Sequence, residues 1–506
     1  MSAVPIKRVL LIQPNMTVVT SVHPVVYPPI GIMYLGAVLE RAGLQVKILD
    51  CQTEALGRPK DPDLEFALGL SIEEISNIID DFSPDLIGIS CNFSVMFAPM
   101  LDIVAAAKLV APGAVIVIGG HHATSLPEEV MEETLIDFVM MGESEVSFPA
   151  LIEELNTTRR LVEVPGLVWR DEEGVLKKNP QAPLIKDLES LPYPAWHLFP
   201  YEKYSQGYDP KTVTWGEAEA MPSILTTRGC AADCVFCSVH NTMGRGFRAR
   251  SLEDVFSEIR FLIERFGIKK LMVIDDNFTH SKKRAKEFCD EFKKQNFGIE
   301  IYFQVLALWC MDEELIDKLK SIGCTRMGFA IESGVQDTLN NIIKKPLNLV
   351  KSMELLRYAK SRGIHLTGTF VVGFPGETKK AINRSLYMAN YSKLFDSREV
   401  YIATPLPGTE LYRVCKENNY FVKDFSYSNV DVVKANISTE DFSADYIESI
   451  VEADRAHHLI KSSPRSIVRQ IMDVRRRKPR LYLKVLFETA RIFIKYDFLK
   501  LKEDYP

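Results

Sequence analysis

The chain has 506 residues, of which 46% are hydrophobic and 25% charged, and its net charge is −6. A chain of this length is too long for one compact core, so we expect two or three domains. No apolar run is long enough to span a bilayer, and residues 1–8 lack the layout of a signal peptide, which favours a cytoplasmic protein. Nine cysteines, an odd number scattered along the chain, argue against a disulfide framework.

The first 155 residues alternate between strand and helix patterns. Short apolar runs predict buried parallel strands at 8–15, 46–50, 84–90, 114–120 and 138–142. This alternation is typical of an α/β fold with a doubly wound, Rossmann-like sheet, whose ligand lies beyond the carboxyl ends of the strands. From the pattern alone, a flavodoxin-like domain that binds a nucleotide, or no ligand at all, is as well supported as a domain for any other ligand. Glycine and small polar residues at these ends allow close backbone approach and indicate contacts at Ser90, Asn92, Ser94, Gly119, Gly120, His121, Gly142 and Glu143.

Residues 156–220 are predicted to form a connector. The run from Val164 to Trp169 and the acidic turn after it suggest a small hairpin. Two prolines stiffen the segment that carries Trp196. We expect Trp196 either to brace the two domains or to line the substrate entrance.

The alternation of strands and helices resumes at residue 221. Apolar runs predict six strands at 223–227, 270–274, 299–306, 326–331, 366–372 and 399–404, with helices at 252–266, 282–295, 312–322, 349–362 and 379–394. Six such units are enough for an open, partial (β/α)6 TIM-like barrel over 221–410, with functional groups at the carboxyl ends of the strands. Residues 411–506 are predicted to be a helical C-terminal region.

The first of these strands leads into three cysteines, Cys230, Cys234 and Cys237. Thiolates so closely spaced can converge on one metal centre, and the spacing leaves a fourth ligand unprovided. A four-iron cluster held by three cysteines has one iron free to bind a small molecule. The alternative is a structural zinc site completed by His240, although no second pair of cysteines or histidines follows.

The spacing CxxxCxxC, with Phe236 just before the last cysteine, resembles the signature of radical S-adenosylmethionine (SAM) enzymes. The resemblance implies a 4Fe-4S cluster on the three cysteines, whose open iron binds SAM and whose electron cleaves it to a 5′-deoxyadenosyl radical. It also implies a SAM site at the strand ends, formed by Asp275, Asp276 and Asn277 at the amino group, Glu332 with Ser333 at the ribose, and Gly373 with Pro375 at the adenine and ribose end. Arg248 and Arg250 are expected either to balance cluster or SAM charge or to pair on the surface.

Four segments of the N-terminal region together resemble the cobalamin-binding domain found fused to radical SAM domains: YPPIGIMYLGAVLERAG, PDLIGIS, GGHHATSLPEE and MGESEVSF. The resemblance implies that cobalamin is the ligand of the sheet within residues 1–155. The DxHxxG motif, whose histidine ligates cobalt from below in other cobalamin enzymes, is absent. For His121 and His122 we expect a role near the corrin or its tail, or a surface role, rather than cobalt ligation.

The C-terminal tail is basic. From His457 to the end, thirteen Lys or Arg stand against five Asp or Glu. Such a segment either makes peripheral contact with an anionic membrane surface, or binds an anionic partner, or packs as an amphipathic helix with its charges solvated.

Together these features predict a cobalamin-dependent radical SAM enzyme. The expected reaction is methylation of an unactivated carbon of a small-molecule, lipid or natural-product substrate, and radical cyclisation or rearrangement is the alternative. A tRNA methylthiotransferase would need a second N-terminal cysteine trio, but only Cys51 and Cys91 are present, and no nucleic acid is expected. A non-catalytic corrinoid-binding protein would not need the cysteine loop. We expect an electron donor such as flavodoxin or ferredoxin as a partner.

Overall fold

The computed structural model describes residues 5–17, 26–56, 67–206, 221–427, 430 and 432–462. Most of the predicted basic helix, from residue 463 onward, and positions 207–220 of the connector lie outside the described residues. Across the described ranges, no helix combines the length and apolar character needed to cross a bilayer.

The N-terminal region forms a seven-stranded sheet in the order β2-β1-β3-β4-β5-β6-β7. The first five strands are parallel, and the last two form an antiparallel hairpin at the edge. The hairpin predicted after Val164 is therefore present and extends this sheet. The strands span Arg8–Gln13, Gln45–Asp50, Leu86–Ser90, Val115–Gly119, Phe138–Met140, Leu167–Arg170 and Leu176–Lys178, and a small ribbon pairs Met16–Thr17 with Ala67–Leu68.

Helices cover both faces of this sheet. Helices α1 to α5 span Ile30–Arg41, Ile72–Phe82, Phe97–Val110, His121–Ser125 and Ser147–Asn156, with single turns at Cys51–Glu54 and Pro127–Val130. Because side chains alternate along a strand, β1 contributes to a core on each side. Leu11 packs in the core with α1 and α5, whereas Leu10 packs in the core with α2 and α3. The predicted doubly wound α/β arrangement is confirmed.

The second half of the chain contains six parallel strands in sequence order. Strands β8, β11 and β12 form one sheet and β13, β14 and β15 another, and a parallel bridge from Leu306 to Phe329 joins the two. Strands β9 and β10 form an antiparallel pair beside the cysteines. This is the predicted partial barrel. Strands β8 to β15 span Ser223–Ile224, Thr227–Arg228, Arg248–Ala249, Lys270–Val273, Glu300–Phe303, Arg326–Glu332, His365–Val372 and Ser397–Ile402.

Helices surround these strands and continue into the C-terminal region. Helices α6 to α14 span Tyr201–Gln206, Val239–Thr242, Leu252–Phe266, Lys282–Gln295, Glu313–Ser321, Leu349–Ser361, Lys379–Tyr391, Glu410–Glu417 and Ala444–Ser462, and a π-helical turn covers Thr338–Ile343. Helices α8 and α9 have the predicted bounds because Ser251 and Ser281 cap their first turns.

Trp196 of the connector braces the two halves. Its side chain is fully buried and belongs to a core cluster that includes residues of both halves. Its ring lies 6.3 Å from that of Phe266 at the end of α8, and the amide of the preceding Ala195 donates to the carbonyl of Met33 in α1 at 3.0 Å. These contacts favour the bracing role over a place at the substrate entrance.

Candidate active site

The cysteine loop begins directly after β9, and its three thiols are half buried. The amide of Cys237 donates to the carbonyl of Cys234 at 3.0 Å, which closes a turn. His240 directs Nε2 at the carbonyl oxygen of Cys230, 3.0 Å away, so the zinc alternative has no support from its geometry. Within the described residues, no closed group of three or more metal ligands is preformed. Three thiols on one loop are nevertheless the donor set for an iron-sulfur cluster that keeps one iron open.

Asp275, at the end of β11, holds the strand that leads into this loop. Its carboxylate accepts hydrogen bonds from the amides and hydroxyls of Thr226 and Thr227 at 2.5 to 3.1 Å. Burial raises its pKa, and these four hydrogen bonds oppose the rise. A carboxylate offers about four acceptor positions, so none is left for the amino group of SAM. Asp275 therefore positions the segment that leads into the loop, and its contact with the SAM amino group stays a prediction that these four hydrogen bonds do not favour.

Asp276 and Asn277 contact the next residues of the chain, Gly229 and Cys230, at the start of the cysteine loop. Asp276 accepts the amide of Gly229 at 2.8 Å, and the side-chain amide of Asn277 lies 3.8 Å from the sulfur of Cys230. Gly229 has a φ of 89°, and a Cβ there would lie 2.1 Å from the carbonyl oxygen of Gly246, so only glycine fits. Both side chains lie beside the cysteine loop, and their contact with the SAM amino group stays a prediction.

Glu332 ends β13 with a φ of 64°, where the pairing with β14 is irregular. Its side chain is 5% exposed, and Oε1 accepts a hydrogen bond from Nζ of Lys345 at 2.9 Å. Oε2 is buried and has no hydrogen-bond partner among the described residues. A buried carboxylate oxygen without a donor is costly, so this atom fits the predicted acceptor for a ribose hydroxyl. Ser333 instead bonds Ser385 within the protein, at 3.0 Å.

The turn after β14, predicted to support the adenine and ribose end of SAM, is held by Glu377. The Oε2 atom of Glu377 accepts the amides of Gly373 and Phe374 at 2.9 and 3.3 Å. Burial raises the pKa of Glu377 to about 7. The ring of Phe374 lies 5.7 Å from that of Phe236 in the cysteine loop. The turn that carries Gly373 and the half-buried Pro375 therefore lies against the loop.

A cleft of about 780 Å³, partly open to solvent, lies beyond the carboxyl ends of the N-terminal strands. Seven of the eight residues predicted for this site line it: Ser90, Asn92, Gly119, Gly120, His121, Gly142 and Glu143. The eighth, Ser94, does not line the cleft, because its side chain is buried with the hydroxyl 3.0 Å from Nδ1 of His122. Most of the other N-terminal residues of the wall are apolar or glycine, which suits a large, flat corrin, and Ser144 and Glu145 add two polar side chains. The apolar residues and glycines are Leu11, Gly31, Ile32, Leu35, Gly88, Ile89, Val117, Met140 and Phe148.

His122 is buried and His121 is half buried, and each contacts a side chain from another segment of the chain, so neither occupies a purely surface position. His121 lines the cleft and lies 2.8 Å from the hydroxyl of Thr242, and burial lowers its pKa. His122 lies between Ser94 and the ring of Tyr427, whose centroid is 5.0 Å away, and burial lowers its pKa to about 4. The two histidines therefore face different neighbours, and of the two only His121 is in the cleft wall.

An ion-pair network joins the wall of the cleft to the barrel half. Glu143 is 2% exposed and accepts hydrogen bonds from Arg228 at 3.0 Å, from Arg248 at 2.7 and 2.9 Å, and from the amide of Ile185 at 2.9 Å. Arg228 also pairs with Glu145 at 2.7 Å. Glu143 thus bridges the two halves of the protein in addition to lining the cleft.

The network corrects the predictions for the two arginines after the cysteine loop. Arg248 pairs with Glu143 in the interior, and Arg250 is bound by Asp254 at 2.6 Å and by the fully buried Glu258. Neither arginine makes a surface pair, and no cluster charge is needed to explain either one. The pairing partner of Arg248 is 105 positions away along the chain, so no local pattern in the sequence marks it.

The wall of the cleft also includes three residues of the barrel half that sequence reasoning missed: Arg228, Thr242 and Met243. Arg228 precedes Cys230 by two positions, and Thr242 and Met243 follow Cys237 in the α7 segment. The Thr-Arg-Gly run before the cysteines was visible in the sequence, but its contact with the other domain was not. The cleft and the cysteine loop are consequently adjacent sites.

Comparisons with known proteins agree with this arrangement. A model of the B12 binding domain matches residues 16–152, and the radical SAM superfamily model matches residues 224–387. The cytidylyl-2-hydroxyethylphosphonate methyltransferase of Streptomyces wedmorensis is 36% identical over 440 residues, covering 81% of this chain and 82% of that protein. An uncharacterised methyltransferase of Pyrococcus horikoshii is 30% identical over 471 residues, covering 92% and 95%.

A solved structure shows the same fold. The radical SAM methyltransferase TsrM of Kitasatospora setae, with tryptophan and a SAM analogue bound, aligns with a TM-score of 0.64 and 19% identity over 82% of this chain and 77% of that one. The cofactors that the residues fit are therefore the cofactors of the matched families: a 4Fe-4S cluster, SAM and cobalamin. The chain belongs to the cobalamin-dependent radical SAM enzymes.

Proposed function

We propose that this enzyme transfers a methyl group to an unactivated carbon of a small-molecule or lipid substrate. One observation carries the proposal: the cleft that fits cobalamin is walled by residues on either side of the cysteine loop, Arg228 before it and Thr242 and Met243 after it. When bound, the cluster and SAM supply a 5′-deoxyadenosyl radical and the cobalamin supplies a methyl group. A substrate carbon at this junction is within reach of both reagents.

The chain's own residues prepare the junction in three ways. Asp275 and Asp276 fix the backbone that enters the cysteine loop, so the thiols are presented from a rigid strand end. Glu332 offers one free carboxylate oxygen for a hydroxyl donor. The network around Glu143 joins the two halves at the wall of the cleft.

The similarity to named methyltransferases supports methylation over cyclisation. The relative at 36% identity over most of both chains acts, by its name, on a cytidylyl phosphonate. We propose that the present substrate is likewise a small molecule, and that flavodoxin or ferredoxin supplies the electron. No nucleic-acid substrate is proposed, and a peripheral membrane contact is proposed only for the basic tail.

Anaerobic reconstitution with iron, sulfide, hydroxocobalamin, SAM and a reductant tests this function. The probe substrate is cytidylyl-2-hydroxyethylphosphonate, and candidate small molecules follow it. Methylation replaces a substrate hydrogen with a methyl group and so predicts a product heavier by one CH2 unit, with 5′-deoxyadenosine and S-adenosylhomocysteine formed together. Formation of 5′-deoxyadenosine with a substrate but without methylated product or S-adenosylhomocysteine would refute methyl transfer and favour cyclisation or rearrangement. The matched control is Cys234→Ala, which should retain cobalamin and lose both SAM products.

A further inference from the structure

Lys345 is a buried cation beside the cysteine loop that the predicted site did not include. Its side chain is 4% exposed, its Nζ lies 2.9 Å from Oε1 of Glu332, and it sits 4.9 Å above the ring of Trp309. A lysine is almost never fully buried unless it is paired, and this one has a single carboxylate partner and one aromatic face. The neighbouring Lys344 is different, because it is 45% exposed and pairs with Glu410 at 2.7 Å.

The backbone around Lys345 is fixed to the cysteine loop. The amide of Val235, which lies between the cluster cysteines, donates to the carbonyl of Ile343 at 3.0 Å. The amide of Lys345 donates to Leu339 at 2.8 Å, and its carbonyl accepts the amide of Leu347 at 2.8 Å. The lysine therefore keeps a fixed position relative to the thiols.

The positive charge of Lys345 is held near the cysteine loop by this backbone. Lys345 is two residues from Ile343, whose carbonyl accepts the amide of Val235 between Cys234 and Cys237. Because the ammonium group is buried, its charge acts in a medium of low dielectric constant, where Coulomb interactions are stronger than in water.

We propose that Lys345 is a positioning residue with two linked tasks: it holds Glu332 with Oε2 free for a ribose hydroxyl, and its charge stabilises the more negative, reduced state of the cluster. One electron added to the cluster increases the negative charge beside Lys345, so removing the cation disfavours reduction. The inference rests on the cluster and SAM sites alone and does not depend on the substrate or on methyl transfer.

The test uses the full-length reconstituted enzyme without substrate. Lys345→Met removes the charge at similar length, Lys345→Gln removes it but keeps a donor for Glu332, and Lys345→Arg keeps the charge. Lys344→Met is the matched control, since it removes an adjacent exposed lysine. The measurements are the midpoint potential of the cluster, followed by electron paramagnetic resonance during dye-mediated titration, and the dissociation constant of SAM.

Both neutral variants should shift the reduction equilibrium roughly tenfold toward the oxidised cluster, or about 59 mV more negative for one electron. Lys345→Met should also weaken SAM binding roughly tenfold, with a smaller loss in Lys345→Gln, because only the amide can still orient Glu332. Lys345→Arg and Lys344→Met should keep the parent midpoint. If Lys345→Met does not fold, Lys345→Gln decides the question. Unchanged midpoint and SAM affinity in a neutral variant whose melting temperature falls would show a structural role only and overturn the proposal.

Discussion

Replacing Glu143 with Gln tests how strongly the two halves of the protein are joined. The substitution keeps the size of the side chain but removes the negative charge between Arg228 and Arg248, which are 4% and 9% exposed. Breaking a buried ion pair leaves an uncompensated charge and costs roughly 3–5 kcal/mol. For large domains this corresponds to a fall of roughly 6–20 °C in the apparent melting temperature.

The assay is thermal unfolding of the purified protein, together with cobalamin retained after gel filtration. Glu128→Gln is the control, because its pair with Lys178 is 55% and 46% exposed on the same domain, and such surface pairs contribute about 0–1 kcal/mol. Glu143→Gln should melt well below the control and retain less cobalamin, since its side chain also lines the cleft. Equal melting temperatures for the two variants would refute the view that the network holds the halves together.

Three further predictions concern the cysteine loop, the cobalamin cleft and the turn after β14. Gly229→Ala should lower the iron and sulfide content per chain, since its Cβ would lie 2.1 Å from a backbone oxygen, whereas Gly113→Ala, where no atom lies within 4 Å, should not. Ser94→Ala should leave cobalamin binding at the parent level, because Ser94 lies outside the cleft, and a weakened corrinoid band would contradict this placement. Burial raises the pKa of Glu377 from 4.5 to about 7, so between these pH values the folded state holds a proton that the unfolded state releases. The resulting contribution to the unfolding free energy is fully present below pH 4.5 and is lost as the pH rises through 7. In the parent protein this group should lower the unfolding free energy by about 3 kcal/mol over that range, and Glu377→Gln should lack this decrease. Urea unfolding at several pH values measures the difference.

Much of the fold could be predicted from the sequence because its elements have local signals. Helix α8 has its predicted bounds because Ser251 caps the first turn and Gly267, with a φ of 62°, ends the last. The cleft was located because glycines and small polar residues follow β3, β4 and β5, and parallel strands bring their carboxyl ends to one edge. These signals lie within a few residues of the position that they specify.

The parts of the site that sequence did not reveal depend on distant partners. Arg228 and Glu143 are 85 positions apart, and neither periodicity nor spacing connects them. The resemblance to radical SAM enzymes placed Asp275 at the right strand end but did not reveal its four hydrogen bonds, because the donors are Thr226 and Thr227, about fifty positions earlier in the chain. Sequence analysis also missed Lys345, because its burial against Glu332 results from tertiary packing, which no local sequence pattern indicates.

The short strand β9 connects the two cofactor sites more directly than either domain boundary suggests. Thr227 is held by Asp275, Arg228 lines the cobalamin cleft, and the amide of Gly229 is held by Asp276 just before the first cysteine. Three consecutive residues therefore couple the barrel, the cleft and the cysteine loop. Because Arg228 in the cleft wall is only two residues from Cys230, and the residues on either side of Arg228 are held by Asp275 and Asp276, the cleft wall and the first cluster cysteine keep a fixed relative position. A substrate held between the two sites would meet both reagents in one fixed geometry, as chemistry that uses two cofactors requires.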